Sequence, residues 1–470
     1  YLGVTHPDYY RDASGFPLYL LLKSKRMPLQ SLTRAAKLSK KFVYPCKSNY
    51  FRAKFIPNQY LSVNNQHMSI KFAIIKERKN PPDRRVVFSP SKLVEAKKQF
   101  PEAIFKVESS DIRVFSDQEY KKAGFEVAND VSDCDVMVGV KEVPIDALIS
   151  NKKYFFFSHT IKKQPYNRKL LKAVLEKNIE LYDHETIVNE KGFRLIGFGR
   201  YAGIVGAYNG FRAWGLKHNS WNLPKAGPLP NQAALIKELN SLELPNIKIL
   251  LTGSGKVAKG AKEMLDAMRI KSVSVDDYLN NTFNEPVYCK IDVLDYNKRK
   301  DGSVIDVFDF FNNPQDYDSN FMRFAKVTDY YIAGHFYGDG APYLYTRDDV
   351  KSKDFNIKVV ADVSCDVDGP VATTLRASTI ADPIYGYDPE SEKEIDFKNE
   401  KAITVMAVDN LPCELPQDAS EGFGEQFLQH VIPAFFNNDA NGILQRAKIT
   451  ENGKLTERFS YLQDYLDGIE

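Results

Sequence analysis

The sequence predicts an α/β protein built from two parallel-sheet domains around a cleft. From Met68 onward, apolar runs that indicate strands alternate with helical segments, which is typical of parallel sheets with crossover helices. Three runs are apolar almost throughout, as expected for strands buried on both faces; they are Asp329 to Gly334, Lys358 to Asp362 and Lys401 to Val408. A further strand ends in a glycine-rich turn that opens a helix.

Length and composition bound the class of protein. The 470 residues allow two or three domains. A hydrophobic content of 43% and a charged content of 27% are typical of a soluble globular protein, and no apolar run approaches the roughly 18 residues of a membrane helix. The five cysteines are scattered and show no C-x-x-C pairing, which argues against a disulfide framework or a zinc site. We therefore expect a cytoplasmic protein with no bound metal and no membrane partner.

The first 67 residues differ from the rest in charge. They carry a formal charge of +9, which leaves −6 for the remainder of a chain whose net charge is +3. Such an acidic body disfavours binding to nucleic acid. The segment 1–67 is open to three interpretations: a targeting extension, a nucleic-acid arm, or upstream sequence outside the working protein. The third is favoured because Met68 is followed at once by a strand, and since the chain begins with Tyr1 we interpret it as a fragment or a processed product.

The first domain is predicted to span 68–204. Its strands are predicted at Ile70 to Lys76, Val136 to Val140, Tyr154 to Ser158 and Ile179 to Tyr182, and its helices at Lys92 to Phe100 and Arg168 to Lys177. Helices over Tyr201 to Gly215 and Gln232 to Leu242 then lead into the second domain, predicted over 205–412. After Pro412 a helix from about Ala419 to Phe436 is predicted, and we expect 413–470 to complete the first domain.

The glycine-rich turn has the sequence of a dinucleotide cradle. The strand Ile247 to Thr252 is followed by Gly253-Ser-Gly255-Lys-Val-Ala258 and by a helix predicted from Lys259 to Ile270. In such a cradle Gly253 permits the tight turn, Gly255 lets the backbone reach a pyrophosphate, and Ala258 lets helix and strand pack closely. The phosphates would then lie at the free N–H groups of the helix start. This predicts a Rossmann-like domain.

An acidic residue near this turn bears on the choice of cofactor. A strand predicted over Ser272 to Val275 ends in Asp276, at about the 20-residue gap where such domains place the carboxylate that binds the adenine ribose. Because that charge opposes a 2'-phosphate, NAD is favoured over NADP. Lys256, inside the turn, is interpreted as a solvated lysine, but it keeps NADP open.

Charged residues also follow the strands of the first domain. Lys141 and Glu142 come after one strand, His159 after the next, and Glu185 after a third. Because ligands bind outside the carboxyl ends of strands in open α/β sheets, these side chains predict a site. A lysine and a histidine there could divide base and acid work. Arg85, Lys162 and Arg194 could anchor substrate carboxylates.

Several segments together resemble the lysine-2-oxoglutarate reductases, also called saccharopine dehydrogenases (lysine-forming), of the alanine dehydrogenase and transhydrogenase superfamily. The segments are Asp83 to Pro90, Val140 to Pro144, Phe157 to Gln164, Leu181 to Glu185, Gly197 to Gly203, Val360 to Asp366 and Val408 to Pro416. The resemblance runs from Met68 to the C-terminus and leaves 1–67 unexplained. The chain differs from the family in the long region from Tyr278 to Arg323.

The resemblance implies roles for individual residues. Lys141 is implied as the general base and His159 as the general acid, while Glu142 and Glu185 tune the site and meet the lysine moiety. Arg85 and Arg194 would hold carboxylates, with Lys162 and Gln164 as further substrate residues. Asp362, Asn410 and Leu411 would lie at the cofactor, together with Gly253, Gly255, Ala258 and Asp276.

The reaction implied is the interconversion of saccharopine with lysine and 2-oxoglutarate, with hydride transfer to or from NAD. Two alternatives stay open. One is an alanine-dehydrogenase-like reductive aminase of a small 2-oxo acid, and the other is a protein that senses nicotinamide cofactor or lysine without turnover.

Overall fold

A computed structural model describes residues 69–469 of the chain. The basic segment 1–67 and the start at Met68 lie outside the described residues, so the interpretations of that segment stay predictions. Among the described residues, no helix combines the length and the apolar composition that a membrane crossing requires.

The first sheet has six parallel strands in the order β3-β2-β1-β4-β5-β6. The strands are β1 Ile70–Ile74, β2 Ala103–Glu108, β3 Glu126–Ala128, β4 Val136–Val138, β5 Lys153–Phe156 and β6 Glu180–Asp183. The four strands predicted for this domain are confirmed as β1, β4, β5 and β6. Strands β2 and β3 extend the sheet on the far side of β1, and the sequence analysis did not predict them.

The second sheet has eight strands in the order β15-β14-β16-β13-β12-β7-β9-β8. The later strands of the chain are β7 Lys248–Thr252, β8 Lys271–Ser272, β9 Val287–Ile291, β10 Asn297–Arg299, β11 Tyr317–Ser319, β12 Tyr330–Ala333, β13 Val359–Asp362, β14 Ile384–Asp388, β15 Lys393–Ile395, β16 Ile403–Met406, β17 Thr450–Glu451 and β18 Lys454–Leu455. Of these, β10 pairs with β11 and β17 pairs with β18 in two small two-stranded sheets. Strands β8, β9, β7, β12, β13 and β16 are parallel, β14 pairs antiparallel with β16, and the edge strand β15 pairs antiparallel with β14. The predicted α/β class with two sheets is confirmed.

Helices cover both sheets. They are α1 Pro90–Gln99, α2 Asp117–Lys122, α3 Arg168–Glu176, α4 Gly199–His218, α5 Gln232–Leu239, α6 Lys256–Ala267, α7 Val275–Asn280, α8 Val293–Tyr296, α9 Val307–Asn312, α10 Met322–Ala325, α11 Arg347–Lys351, α12 Pro416–His430, α13 Ile432–Phe436, α14 Ile443–Ala447 and α15 Gln463–Asp467. Short 3₁₀ turns follow several strands, among them Thr160–Lys162, His184–Thr186 and Leu411–Glu414.

The strand predicted over Ser272 to Val275 is wrong in length and in position. Strand β8 contains two residues and pairs with β9, while Asp276 lies in the first turn of helix α7. The reason is local: the side chain of Ser274 accepts a hydrogen bond from the Asp277 amide at 3.1 Å and caps the helix. The strand that pairs directly with β7 on this side is β9.

Helix α4 packs unusually close to helix α6 through glycines. A Cβ atom on Gly203 would lie 1.9 Å from the carbonyl oxygen of Val257, and one on Gly260 would lie 1.9 Å from the carbonyl oxygen of Arg200. Farther along α4, a Cβ on Gly206 would meet Val363 of the second sheet at 2.4 Å. Residues with side chains at these positions would push the helix away from both neighbours.

The C-terminal residues return to the first sheet. On α12, the Phe427 ring lies 5.6 Å from that of Phe155 on β5, and Ser420 accepts a hydrogen bond from the Val86 amide at 3.0 Å. The hydroxyl of Thr450 accepts one from the Leu181 amide at 3.0 Å. The described residues, 69–469, belong to one compact unit, so the predicted domain limits at 204 and 412 stay predictions.

We expect Gly203→Ala to destabilise the protein although alanine is normally the better helix former. An alanine in place of a helical glycine usually adds up to about 1 kcal/mol of stability, whereas overpacking at a close contact costs roughly 1–3 kcal/mol. Chemical denaturation of the two proteins measures the sign of the change. Gly227→Ala is the matched control because a Cβ there meets nothing within 4 Å. A Gly203→Ala variant as stable as this control would contradict the packing argument.

Candidate active site

A cavity of about 320 Å³ lies where the carboxyl ends of the first sheet face the start of α4, the glycine turn and the loop after β16. Its walls are Arg85, Lys141, Phe157, His159, Glu185, Arg194, Ile196, Gly197, Phe198, Gly199, Ala202, Lys256, Asp409, Asn410 and Pro412. The structure thus brings together six of the predicted site residues, which are Arg85, Lys141, His159, Glu185, Arg194 and Asn410.

Lys141 follows strand β4 and its backbone is held by a buried carboxylate. Glu77, just beyond β1, accepts hydrogen bonds from the amides of Val140 at 2.7 Å and Lys141 at 2.8 Å. Burial and then the charge of Arg85 lower the pKa of Lys141. Burial raises the pKa of Glu77 to about 7, against the two amide hydrogen bonds that lower it. An amine with a lowered pKa in a cavity is suited to accept a proton.

His159 lies after strand β5, facing the same cavity. Its Nδ1 lies 2.6 Å from Oε1 of Glu142, and Oε2 of Glu142 lies 3.2 Å from Nζ of Lys79. Although burial acts to raise it, the hydrogen bond to His159 lowers the pKa of Glu142 to about 2. A carboxylate bound to Nδ1 favours the tautomer that carries its proton there and leaves Nε2 for a ligand.

Arg85 is buried and paired to Asp83. Its Nε and Nη2 donate to the two carboxylate oxygens of Asp83 at 3.0 and 2.6 Å, and its Cζ lies 4.3 Å from the centre of the Phe198 ring. Nη2 also donates to Oδ1 of Asn410 at 3.3 Å, which joins the first sheet to the loop after β16. Arg85 lines the cavity, while the N–H groups on its Nε and Nη2 donate to Asp83 and Asn410 within the protein.

Glu185 follows strand β6, lines the cavity and lies between two cations. Its Oε1 lies 3.4 Å from Nη1 of Arg194 and 3.3 Å from Nζ of Lys162. The side chains of Arg194 and Lys162 are 41% and 49% exposed, so both can still meet a ligand. Gln164 is exposed and its carbonyl accepts a hydrogen bond from Tyr465 at 2.6 Å; neither it nor Lys162 lines the cavity.

The glycine turn has the geometry that a dinucleotide requires. Gly253 has a φ of +104°, and a Cβ there would meet the carbonyl oxygen of Gly334 at 2.4 Å. Gly255 is the N-cap of α6, has no side-chain capping bond, and faces open space on its Cβ side. Ala258 is fully buried in the helix. The exposed start of α6 therefore fits a phosphate group of a dinucleotide.

The acid that follows the strand next to β7 is Asp292, whereas the predicted Asp276 lies on helix α7. Ile291 on β9 is paired with Thr252 on β7, and its carbonyl accepts a hydrogen bond from the Gly253 amide at 2.8 Å. Asp292 follows directly. Asp276 lies one strand farther out, exposed on α7, where its carboxylate accepts a bond from Asn280 at 2.9 Å.

The three other predicted cofactor residues differ in position. Asp362 ends β13, is fully buried, and accepts hydrogen bonds from Ser364, Cys365 and Thr374, so it organises its own loop. Asn410 lines the cavity, and Leu411 is buried against α4.

Sequence reasoning missed several contributors. Glu77 and Asp183 are buried acids near the ends of strands β1 and β6. An acid at the end of an apolar run is the sequence signal that could have identified them. Asp83 lies in a segment on which the resemblance rests, but the pairing with Arg85 depends on the fold. Lys256 is exposed, as interpreted, yet it lines the cavity and donates to the Leu195 carbonyl at 2.9 Å.

The arrangement can therefore position an anionic ligand and move protons beside a dinucleotide site. Lys141 and His159 follow adjacent strands, β4 and β5, and line one cavity. The glycine turn opens on the same cleft through Lys256.

Comparison with known proteins agrees with this geometry. Residues 73–205 match the family model for the alanine dehydrogenase/PNT N-terminal domain. The chain is 26% identical over 449 residues to the mitochondrial alpha-aminoadipic semialdehyde synthase of Mus musculus, with 84% of this chain and 48% of that protein aligned. It is 23% identical over 346 residues to the saccharopine dehydrogenase [NAD(+), L-lysine-forming] of Yarrowia lipolytica, covering 69% of this chain and 82% of that protein.

A solved structure of an L-alanine dehydrogenase has the same fold, with a TM-score of 0.57 at 16% identity over 85% of this chain and 100% of that one. The chain spans about half the length of the mammalian synthases that it matches. Residues 73–205 are thus similar to the alanine dehydrogenase/PNT N-terminal domain, and over more than two thirds of its length the chain is similar to proteins named alpha-aminoadipic semialdehyde synthase and lysine-forming saccharopine dehydrogenase.

Proposed function

We propose that this chain is an oxidoreductase that interconverts saccharopine with L-lysine and 2-oxoglutarate, with NAD as the hydride carrier. The observation that carries the proposal is the convergence of Lys141 and His159, from adjacent strands, on a cavity beside the glycine turn. The names of the relatives supply the substrate.

The charges of the cavity support a ligand with several carboxylates. Four cationic side chains line it, namely Arg85, Lys141, Arg194 and Lys256, against the two acids Glu185 and Asp409. Saccharopine carries three carboxylates and ammonium groups. Guanidinium groups bind carboxylates with paired hydrogen bonds, and Glu185 offers a partner for an ammonium group.

The proton work falls to two residues of this chain. The bound dinucleotide would supply or accept the hydride at the carbon next to the secondary amine. Lys141, with its lowered pKa, takes the proton from the secondary amine, so that loss of the hydride leaves a C=N bond. Nε2 of His159 moves the protons as a water molecule adds to that bond, and hydrolysis then releases the amine of lysine and the ketone of 2-oxoglutarate. Glu142 holds the imidazole through Nδ1 at 2.6 Å, which leaves Nε2 for the ligand.

An assay separates this function from its rivals. NADH loss is followed with lysine plus 2-oxoglutarate, and separately with pyruvate plus ammonia. Turnover in the first mixture supports the proposal, turnover in the second alone supports an alanine-dehydrogenase-like aminase, and none in either supports a cofactor or lysine sensor. The relatives favour the first outcome.

Small molecules in the cytoplasm, and not nucleic acid, are the proposed partners, although the mammalian relatives are named as mitochondrial.

We expect Lys141→Met and His159→Gln each to lower kcat by about 10²- to 10⁴-fold, because loss of a general acid or base usually costs that much. Steady-state kinetics with lysine, 2-oxoglutarate and NADH measures the effect. Lys172→Met, an exposed lysine on α3, is the matched control and should stay within about twofold of the wild type. Unchanged turnover in Lys141→Met would remove that residue from the mechanism.

The pH dependence should report the lowered pKa of Lys141. As a base, Lys141 must be neutral, so saccharopine oxidation should rise with pH and level off above the pKa of this group. Because burial lowers that pKa, the rise should be centred below the ordinary lysine value of about 10.4. A profile of kcat/KM for saccharopine measures it, and the same rise in Lys141→Met would assign it to another group.

We expect a preference for NAD over NADP of at least about tenfold, carried by Asp292 in place of Asp276. Asp292 is chosen because it follows β9, the strand that pairs with β7. Contact between its carboxylate and the 2'-phosphate of NADP would cost several kcal/mol, and each 1.4 kcal/mol is about tenfold in affinity. Ratios of kcat/KM with the two cofactors test this. Asp292→Ala should reduce the preference and Asp276→Ala should not; the reverse result would restore Asp276 as the ribose ligand.

A further inference from the structure

Asp183 ends strand β6 and is fully buried beneath the site, without lining the cavity. Its Oδ2 accepts three hydrogen bonds: from the Ser158 amide at 2.8 Å, the Ser158 hydroxyl at 2.5 Å and the His159 amide at 3.1 Å. Its Oδ1 accepts the Glu185 amide at 2.7 Å. One carboxylate therefore binds the backbone of the loops that follow two adjacent strands.

The His159 backbone needs such support. His159 has a φ of 53°, in the left-handed region that is unfavourable for residues with a Cβ. Residues held in this region keep it only where surrounding contacts determine it. The bonds from Ser158 and His159 to Asp183 are contacts of that kind, and they aim the ring at Glu142.

We propose that Asp183 is a positioning residue, which fixes His159 and Glu185 relative to each other by binding the backbone amides of both. The proposal rests on the proposed function, in which His159 moves a proton and Glu185 meets the ligand. Each side-chain hydrogen bond described for Asp183 goes to a residue of these two loops. The carboxylate is thus a link between the two loops, after adjacent strands β5 and β6, that carry His159 and Glu185.

A double-mutant cycle tests the link. In Asp183→Asn one carboxylate oxygen is replaced by the NH₂ group of the side-chain amide, which cannot accept a hydrogen bond from a backbone N–H, so one of the two loops loses its acceptor. We expect kcat to fall by about 10- to 100-fold, as for a misplaced catalytic group. Because Asp183 acts in part through His159, the loss of kcat in Asp183→Asn/His159→Gln should be smaller than the product of the two single losses, and the part that remains is the effect through Glu185. NADH affinity, measured by fluorescence titration, should stay within about twofold of the wild type.

Asp117→Asn is the matched control, since Asp117 also accepts bonds from a serine hydroxyl at 2.5 Å and a backbone amide at 3.1 Å but does not line the cavity. Its kcat should stay within about twofold of the wild type. If Asp183 only stabilised the fold, the double variant would multiply the two losses and NADH binding would weaken, which would overturn the proposal.

Two further measurements keep the proposal testable whatever the first variant does. Ser158→Ala removes one of the bonds to Asp183 and should lower kcat in the same direction, by about threefold to tenfold; an unchanged kcat would count against the link. A crystal structure of Asp183→Asn, or of Ser158→Ala if the former does not fold, should show His159 turned away from Glu142. A retained left-handed His159 would overturn the proposal, whereas absence of wild-type turnover would overturn only the proposed reaction.

Discussion

The close approach of helix α4 to its neighbours is the constraint on which the cleft depends. This 20-residue helix is buried along most of its length, and it carries glycines at the positions that face α6 and the second sheet. Each interior glycine costs roughly 1 kcal/mol relative to alanine, so packing must offset that cost. The first residues of α4 form a wall of the cavity, and Gly203 sets the distance from that wall to the helix of the glycine turn. The spacing between this cavity wall and the glycine turn therefore follows from backbone contact.

The sequence predicted those parts of the fold whose pattern is decided locally. Long apolar runs gave β12, β13 and β16, and the glycine turn gave β7 and α6, because burial on both faces leaves a clear trace. The misplacement of Asp276 has the opposite origin: Ser274 supplies a helix cap inside an otherwise strand-like run, and the true neighbour of β7 lies beyond it in a region without a clear pattern. For the site, six predicted side chains converge, but Glu77 and Asp183 act through backbone amides of distant residues. Such pairings depend on strand order, which single-residue patterns do not encode.

Cationic side chains line the cavity although the body of the chain is acidic. Arg85 is buried with a charge partner, and Asp83 neutralises it through two bonds while leaving the guanidinium plane against Phe198. Breaking a buried pair of this kind leaves an uncompensated charge, which is strongly destabilising. Arg85 thus serves both the stability of the site and its charge. The lowered pKa of Lys141 has the same source, because burial and the charge of Arg85 both favour the neutral amine.

A buried acid at a strand end recurs in both sheets. Glu77 binds the amides after β4, Asp183 those after β5 and β6, and Asp362 those after β13. Where parallel strands end, the chain leaves the ladder, and the amides of the next residues lose their partners. A carboxylate can accept several such donors at once, and these charge-assisted bonds are stronger than neutral ones. In the first sheet the loops held in this way carry Lys141, His159 and Glu185. The feature that satisfies the backbone where the sheet ends is therefore also the feature that holds the loops lining the cavity.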